Sequence, residues 1–150
     1  MDPVQARINL QADLEKIADV IAENGWRIEP WPLTSTTFFA TMRSAIDGEL
    51  YTMRLVGDDY PDLPPFIKCV TIDTHEPNDA KAWPSCQGFR PPPTADLCLS
   101  ISREGLMQLH PDWMKDRRYG WSSDGNPIWY VLHSLQDRLN DPSKYHGRNK

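Results

Sequence analysis

Asp47-Gly48 stands between two runs, TSTTFFATMRSA and GELYTMRLVG, that are rich in strand-forming residues. An Asp-Gly link this short leaves no room for a crossover, so the two runs are expected to pair as an antiparallel hairpin. PFIKCVTI reads as a further strand after them. WRIEPWPL, short and interrupted by prolines, reads as another before them. The centre of the chain is therefore expected to be an antiparallel meander of up to four strands.

Helices flank this meander. In DPVQARINLQADLEKIADVIAENG, Asp2 is placed to cap and Pro3 fits the first helical position. Leu10, Leu14, Ile17, Ala18 and Ile21 recur on one face, and Asn24-Gly25 is a stop signal. In NPIWYVLHSLQDRLNDP, Asn126 caps and Pro127 starts the helix. Ile128, Val131, Leu132, Leu135 and Leu139 make the stripe, and Pro142 stops the helical run. The tail SKYHGRNK is polar and is expected to fray over residues 143–150. Between Asp73 and Pro127 the periodicity is lost. Seven prolines, Cys86 and Cys98 fall there, and only short turns, such as one around SREGLMQL, are expected. Irregular regions of this length are usually functional. The layout is α+β, one domain over residues 1–150, with helices packed on one sheet.

Composition narrows the function classes. The net charge is −5 with no long basic run, which argues against nucleic acid as a partner. No apolar run approaches the roughly 18 residues that span a bilayer, and MDPVQARINL lacks the pattern of a signal peptide. Three cysteines without framework spacing suit reduced thiols in a cytoplasm. Cys69, Cys86, Cys98, His75 and His110 lack the paired short spacings of a zinc site, so neither metal nor cofactor is expected. Cys69, within a strand, reads as core. Cys86, in AWPSCQGF, reads as the main rival of Cys98 as a nucleophile. A thiol hydrolase would require a close Cys-His pair, and the sequence alone does not place His75 or His110 relative to a cysteine.

Three motifs in order carry a resemblance. YPDLPPFI, residues 60–67, resembles the Tyr-Pro-x-x-Pro-Pro signature of ubiquitin-conjugating enzymes. DLCLSI resembles their active-site segment. YGWSSDGNPIWYVLHSLQDRLNDP resembles their Trp-Ser loop and crossover helix. The likeness covers nearly the whole chain. It implies an N-terminal helix, a four-stranded meander, a long active-site region and a crossover helix, without the family's further C-terminal helices. It also implies a transferase in which Cys98 accepts the C-terminus of a ubiquitin-like protein as a thioester and passes it to an acceptor amine. Its partners would be a ubiquitin-like protein, an activating enzyme and an acceptor protein.

The resemblance places Asn78 of HEPN as the oxyanion donor, although Glu76 interrupts the family's His-Pro-Asn. Asp112, Asp116 and Asp124 are candidates to orient the amine, Asp124 foremost among them. Arg7, Gln11 and Lys16 on the first helix would meet the activating enzyme. Compact members of this kind resemble those of bacterial ubiquitin-like conjugation operons associated with antiphage defence. YPDLPPFIKCVT also resembles the family's inactive variants, which keeps a non-catalytic binding scaffold as the alternative.

Overall fold

The computed structural model describes residues 2–115 and 120–150; for Met114 and Lys115 it describes the backbone alone. Asp116 and most of the Lys115–Arg118 basic cluster lie outside the described residues. The fold is α+β. Helices α1 (Pro3–Lys16) and α2 (Ala18–Asn24) lead into strands β1 (Arg27–Glu29), β2 (Thr37–Arg43), β3 (Leu50–Val56) and β4 (Phe66–Val70). These pair antiparallel in sequence order as one four-stranded sheet. Helix α3 (Pro127–Leu139) packs against α1 and β2.

The N-terminal helix is split rather than continuous. Asp2 accepts a hydrogen bond from the Val4 amide, as its type at a cap favours, and Gly25 at φ +67° closes the far end. Ile17, at φ −109° and ψ 20°, breaks the run between α1 and α2. Leu10, Leu14 and Ile17 are buried and Ile21 packs partly against the core, but Ala18 is exposed. The break changes the helical phase, so the stripe expected across it does not continue into Ala18, while Ala6 joins the buried face.

The Asp-Gly signal sits in a hairpin wider than two residues. Arg43 pairs with Leu50, leaving residues 44–49 as the loop. Ser44 Oγ donates to Leu139 O at 2.6 Å, and the Ala45 amide donates to Asn140 Oδ1 at 2.9 Å. These bonds tie the loop to the end of α3 and hold it open. Gly48 still supplies the positive φ, +78°.

Helix α3 forms as its caps dictate, with Asn126 Oδ1 accepting from the Trp129 amide and Pro127 in the first turn. Ile128, Val131, Leu132, Leu135 and Leu139 are all fully buried. Gln136 bridges the layers. Its Oε1 accepts from Trp26 Nε1 at 2.9 Å, and its Nε2 donates to Arg43 O at 2.8 Å.

The tail does not fray. Tyr145–Arg148 form β8 against β5 (Pro84–Cys86), with Pro84 opposite Arg148 and Cys86 opposite Tyr145. Tyr145 is 3% exposed; its hydroxyl donates to Asp47 Oδ2 at 2.7 Å and lies 2.7 Å from the Tyr51 hydroxyl. Arg148 lies over the Tyr51 ring at 4.6 Å and pairs with Glu49 at 2.8 Å. One buried aromatic and one anchored arginine outweigh the polar composition on which the expectation of fraying rested. After Leu139 the described residues contain this strand and no further helix.

The irregular region is built of short pieces. Beyond β5 come β6 (Phe89–Arg90) and its antiparallel partner β7 (Asp96–Leu97). A π-helical turn over Glu104–Leu109 and a 3-10 turn over Pro111–Lys115 follow. The first of these falls where SREGLMQL suggests a turn.

Candidate active site

The YPDLPP turn is the scaffold on which the site rests. Tyr60 is fully buried; its hydroxyl donates to Asp13 Oδ2 at 2.6 Å and accepts from the Ile128 amide at 3.0 Å, pinning α1 to the start of α3. Burial and the hydrogen bond to Asp13 together push the Tyr60 phenol far above its usual value, so it stays a donor. Pro61 O accepts from Trp121 Nε1 at 2.7 Å, and Pro65 O accepts from the Arg103 amide at 2.8 Å. Arg103 also pairs with Asp59 at 2.5 Å and lies over the Phe66 ring at 5.0 Å. The hydrogen bond from Arg103 holds the Asp59 carboxyl below the usual carboxylate range. One turn of prolines therefore anchors the segment after Cys98 and the segment before α3.

Cys98 follows β7 directly. Its amide donates to Gly88 O at 2.7 Å, which extends the β6–β7 pairing by one bond. The chain then folds back on itself. Ser102 is fully buried. Its hydroxyl lies 2.9 Å from Leu97 O and 3.0 Å from Leu99 O and accepts from the Gly105 amide at 3.1 Å. Gly105 passes against the Leu99 backbone so closely that a Cβ there would lie 2.1 Å from Leu99 O. Only glycine permits that approach. The turn ends at His110, whose amide donates to Gly105 O at 2.9 Å.

The fold-back brings His110 to Cys98. Nε2 of His110 lies 3.1 Å from Cys98 Sγ, within hydrogen-bond reach. Trp113 stacks on the imidazole with ring centroids 4.0 Å apart and planes 17° apart, and its amide donates to His110 O at 3.0 Å. Both Cys98 and His110 are half-buried. A π-helical turn beside such a pair is in keeping with where these turns are commonly found.

Three charged groups near Cys98, Arg90, Asp96 and Glu104, are already engaged. Arg90 grips Asp96 with two bonds, at 2.6 and 2.8 Å. That hydrogen bonding keeps the Arg90 guanidinium above its ordinary value, with a smaller contribution from the Cys98 sulfur. Glu104, 6% exposed, accepts from the Ile67 amide at 3.3 Å, and burial pushes its carboxyl up to about 7.

The three cysteines separate by environment. Cys69 in β4 is fully buried, and burial pushes its thiol far above the usual range. Cys86, read from the sequence as the rival nucleophile, is 9% exposed in β5 beside β8, with Sγ 3.7 Å from Arg138 O; burial pushes its thiol up to about 11. Both therefore remain protonated thiols near neutral pH. Cys98 alone of the three is half-buried and paired with a base.

Among the described residues, no hydrogen bond or ion pair joins any of the remaining candidates to Cys98. Asn78 is exposed in the loop beyond Val70, whereas Arg103 and Glu104 bind Pro65 and Ile67 at the opposite end of β4. No hydrogen bond joins Asn78 to Cys98; its amide donates to Glu76 Oε1 at 3.0 Å. Asp124 is exposed between Trp121, held by Pro61, and Asn126, whose Nδ2 donates to Asp13 O at 2.9 Å; no hydrogen bond or ion pair joins it to Cys98. Asp112 is exposed two residues after His110, and Asp116 lies outside the described residues. Arg7 is half-buried and Lys16 is exposed, paired with Asp13 at 3.6 Å. Gln11 is a clamp, with Oε1 accepting from the Leu33 amide and Nε2 donating to Glu15.

Sequence reasoning did not assign His110 to the site. A signal was present in the short SREG turn and in Gly105, which together allow a reversal within twelve residues of the cysteine. Among the described residues, no group of three or more His, Cys, Asp or Glu side chains is placed to hold a metal ion. No helix among them is long and apolar enough to cross a membrane.

No family model matches the chain, and neither do any curated protein or solved structure. The class of site rests on its own geometry: a half-exposed thiol at hydrogen-bond distance from an imidazole, on a reversal held by buried backbone contacts. Such a pair suits nucleophilic acyl transfer through a thioester.

Proposed function

We propose that this chain is a conjugating enzyme for a ubiquitin-like protein, in which Cys98 accepts the protein's C-terminus as a thioester and passes it to an acceptor nucleophile. The observation that carries this reading is the 3.1 Å Cys98–His110 contact, on a loop buttressed by the YPDLPP turn that the resemblance places beside a catalytic cysteine. The order helix, four-stranded meander, cysteine-bearing loop and helix supports it.

An ordinary thiol is mostly protonated at neutral pH, and the thiolate is the nucleophile. A base at hydrogen-bond distance takes the proton as sulfur attacks the incoming thioester. His110 has that position. In this reading the activating enzyme docks on the exposed side of α1 near Arg7 and Lys16, and the protein works in the cytoplasm of a bacterium, within a conjugation system linked to antiphage defence. Gln11, tied to Leu33, belongs to the framework of that surface rather than to its recognition.

The test is loading with a cognate ubiquitin-like protein, its activating enzyme and ATP. A band shift released by reducing agent, lost in Cys98→Ala and kept in Cys86→Ala, is the expected result. Absence of any adduct on Cys98 would leave the inactive scaffold as the better reading. The same Cys-His pair also fits a thiol hydrolase that cleaves a ubiquitin-like conjugate. That second reading predicts multiple turnover of a Gly-Gly peptide ester or amide by water, without accumulation of a transferable thioester.

A further inference from the structure

An acceptor amine and an acceptor alcohol ask different things of a thioester site. A lysine side chain titrates near 10.4, so roughly one in 2,500 is neutral at pH 7. A site that uses lysine benefits from a carboxylate that draws the ammonium in and removes its proton. An alcohol arrives neutral but is a weak nucleophile, and it requires a general base as it attacks. Imidazole is the side chain best matched to that task near neutral pH.

The surroundings of Cys98 supply the base, while the carboxylates of Asp96, Asp59 and Glu104 have other partners; Asp112, exposed two residues after His110, is the rival that the experiment below tests. Asp96, two residues before Cys98, is held by both Arg90 bonds. Asp59 is paired with Arg103. Glu104 is buried against the Ile67 amide. His110 Nε2, in contrast, points at the sulfur that would carry the acyl group. A nucleophile attacking the carbonyl carbon bonded to that sulfur passes within reach of the same nitrogen. Trp113, stacked on the ring, keeps the imidazole plane fixed through the exchange.

Resting on the conjugating-enzyme reading, we propose that the acceptor served by Cys98 is an alcohol hydroxyl of the serine or threonine type, with His110 Nε2 taking its proton. The hydroxyl oxygen attacks the thioester carbonyl carbon while its proton passes to Nε2. The new C–O bond forms, the C–S bond breaks, and the imidazolium returns the proton to the departing sulfur. The products are an ester and the free Cys98 thiol. The step requires no oxidant, metal or cofactor.

The experiment loads the full chain from a short peptide thioester ending in Gly-Gly, with mercaptoethanesulfonate as leaving group, and locates the adduct by mass spectrometry. The purified adduct is then chased at pH 7 with equal concentrations of L-serine amide, L-threonine amide, Nα-acetyl-lysine amide with a free ε-amine, or buffer alone. To leave only the hydroxyl as nucleophile, the serine and threonine probes are Nα-acetylated as well. Faster discharge to the hydroxyl probes, giving products cleaved by mild alkali as esters are, supports the proposal. His110→Gln, loaded to completion with excess thioester, should discharge to the hydroxyl probes at least about 10²-fold more slowly, the lower end of general-base catalysis. Its discharge to hydroxylamine, which is neutral at pH 7 and attacks unaided, should stay within about threefold of wild type, since little of that step depends on the base.

Discharge to lysine as fast as to the hydroxyl probes overturns the acceptor assignment while the loading reading stands. Lysine discharge that falls in Asp112→Asn overturns it and identifies that carboxylate as the acceptor's partner. Loss to water alone overturns it in favour of the hydrolase. Failure of Cys98 to form any adduct defeats the conjugation reading, and this inference with it.

Discussion

Gly105→Ala tests whether the fold-back creates the Cys98–His110 pair. The added Cβ would lie 2.1 Å from Leu99 O, 2.5 Å from Leu99 N and 2.8 Å from Leu99 C. All three are backbone atoms, so no rotamer change relieves the clash. Reaching even 3.0 Å from the carbonyl oxygen requires a displacement of about 0.9 Å. The Gly105 carbonyl holds the His110 amide, so the imidazole is carried along with the turn. A shift of that size away from the sulfur lengthens a 3.1 Å contact beyond hydrogen-bond range. Overpacking of this kind costs about 1–3 kcal/mol in stability. A misplacement of about 1 Å can lower the rate by about 10²-fold.

The assay is the rate of thioester formation at Cys98 from the Gly-Gly peptide thioester, measured beside a thermal melt and beside His110→Ala. Gly105→Ala should remain folded at 20 °C, melt earlier, and approach His110→Ala in rate. Gly125→Ala is the control: its φ of +73° gives local strain, but nothing lies within 4 Å of the new Cβ. It should lose a little stability and no reactivity. A folded Gly105→Ala that reacts at the wild-type rate, while His110→Ala does not, would falsify the claim that this contact sets the imidazole.

Leu135→Ala should cost about 2–5 kcal/mol by urea denaturation, because the side chain is fully buried, whereas His133→Ala, exposed and stacked on Trp129, should change stability by less than about 0.5 kcal/mol. Brief alkylation of the native protein at pH 7 should label Cys98 and spare Cys69 and Cys86, whose thiols burial raises; peptide mapping that finds Cys86 labelled first would contradict its burial in β5. Glu104 should make stability fall with rising pH. Its folded value of about 7 lies above the unfolded 4.5, so between those values the folded state holds a proton that the unfolded state has lost. Glu104→Gln should flatten that part of the pH profile and gain on the order of 2–3 kcal/mol relative to wild type above pH 7, read from urea midpoints. Parallel wild-type and variant curves between pH 4.5 and 7 would count against a neutral buried Glu104.

Patterns written over a few residues fixed much of the architecture. The 3.6-residue stripe and the Asn126-Pro127 start define α3 down to each buried side chain, because capping and burial of one helical face are local rules. The strand runs around Asp47-Gly48 define an antiparallel meander for the same reason, since two adjacent runs of strand formers on a short link have one pairing open to them. The sequence also placed a cysteine in the long irregular region. The tertiary structure decided the rest. Cys86 is buried because the polar tail pairs with β5, which depends on a free strand edge and on Tyr145 reaching Tyr51 and Asp47. His110 meets Cys98 because Gly105 slides under Leu99 and the Ser102 hydroxyl closes the turn. Those contacts join backbone atoms whose closeness depends on how the chain reverses, and no periodicity or local propensity encodes that distance.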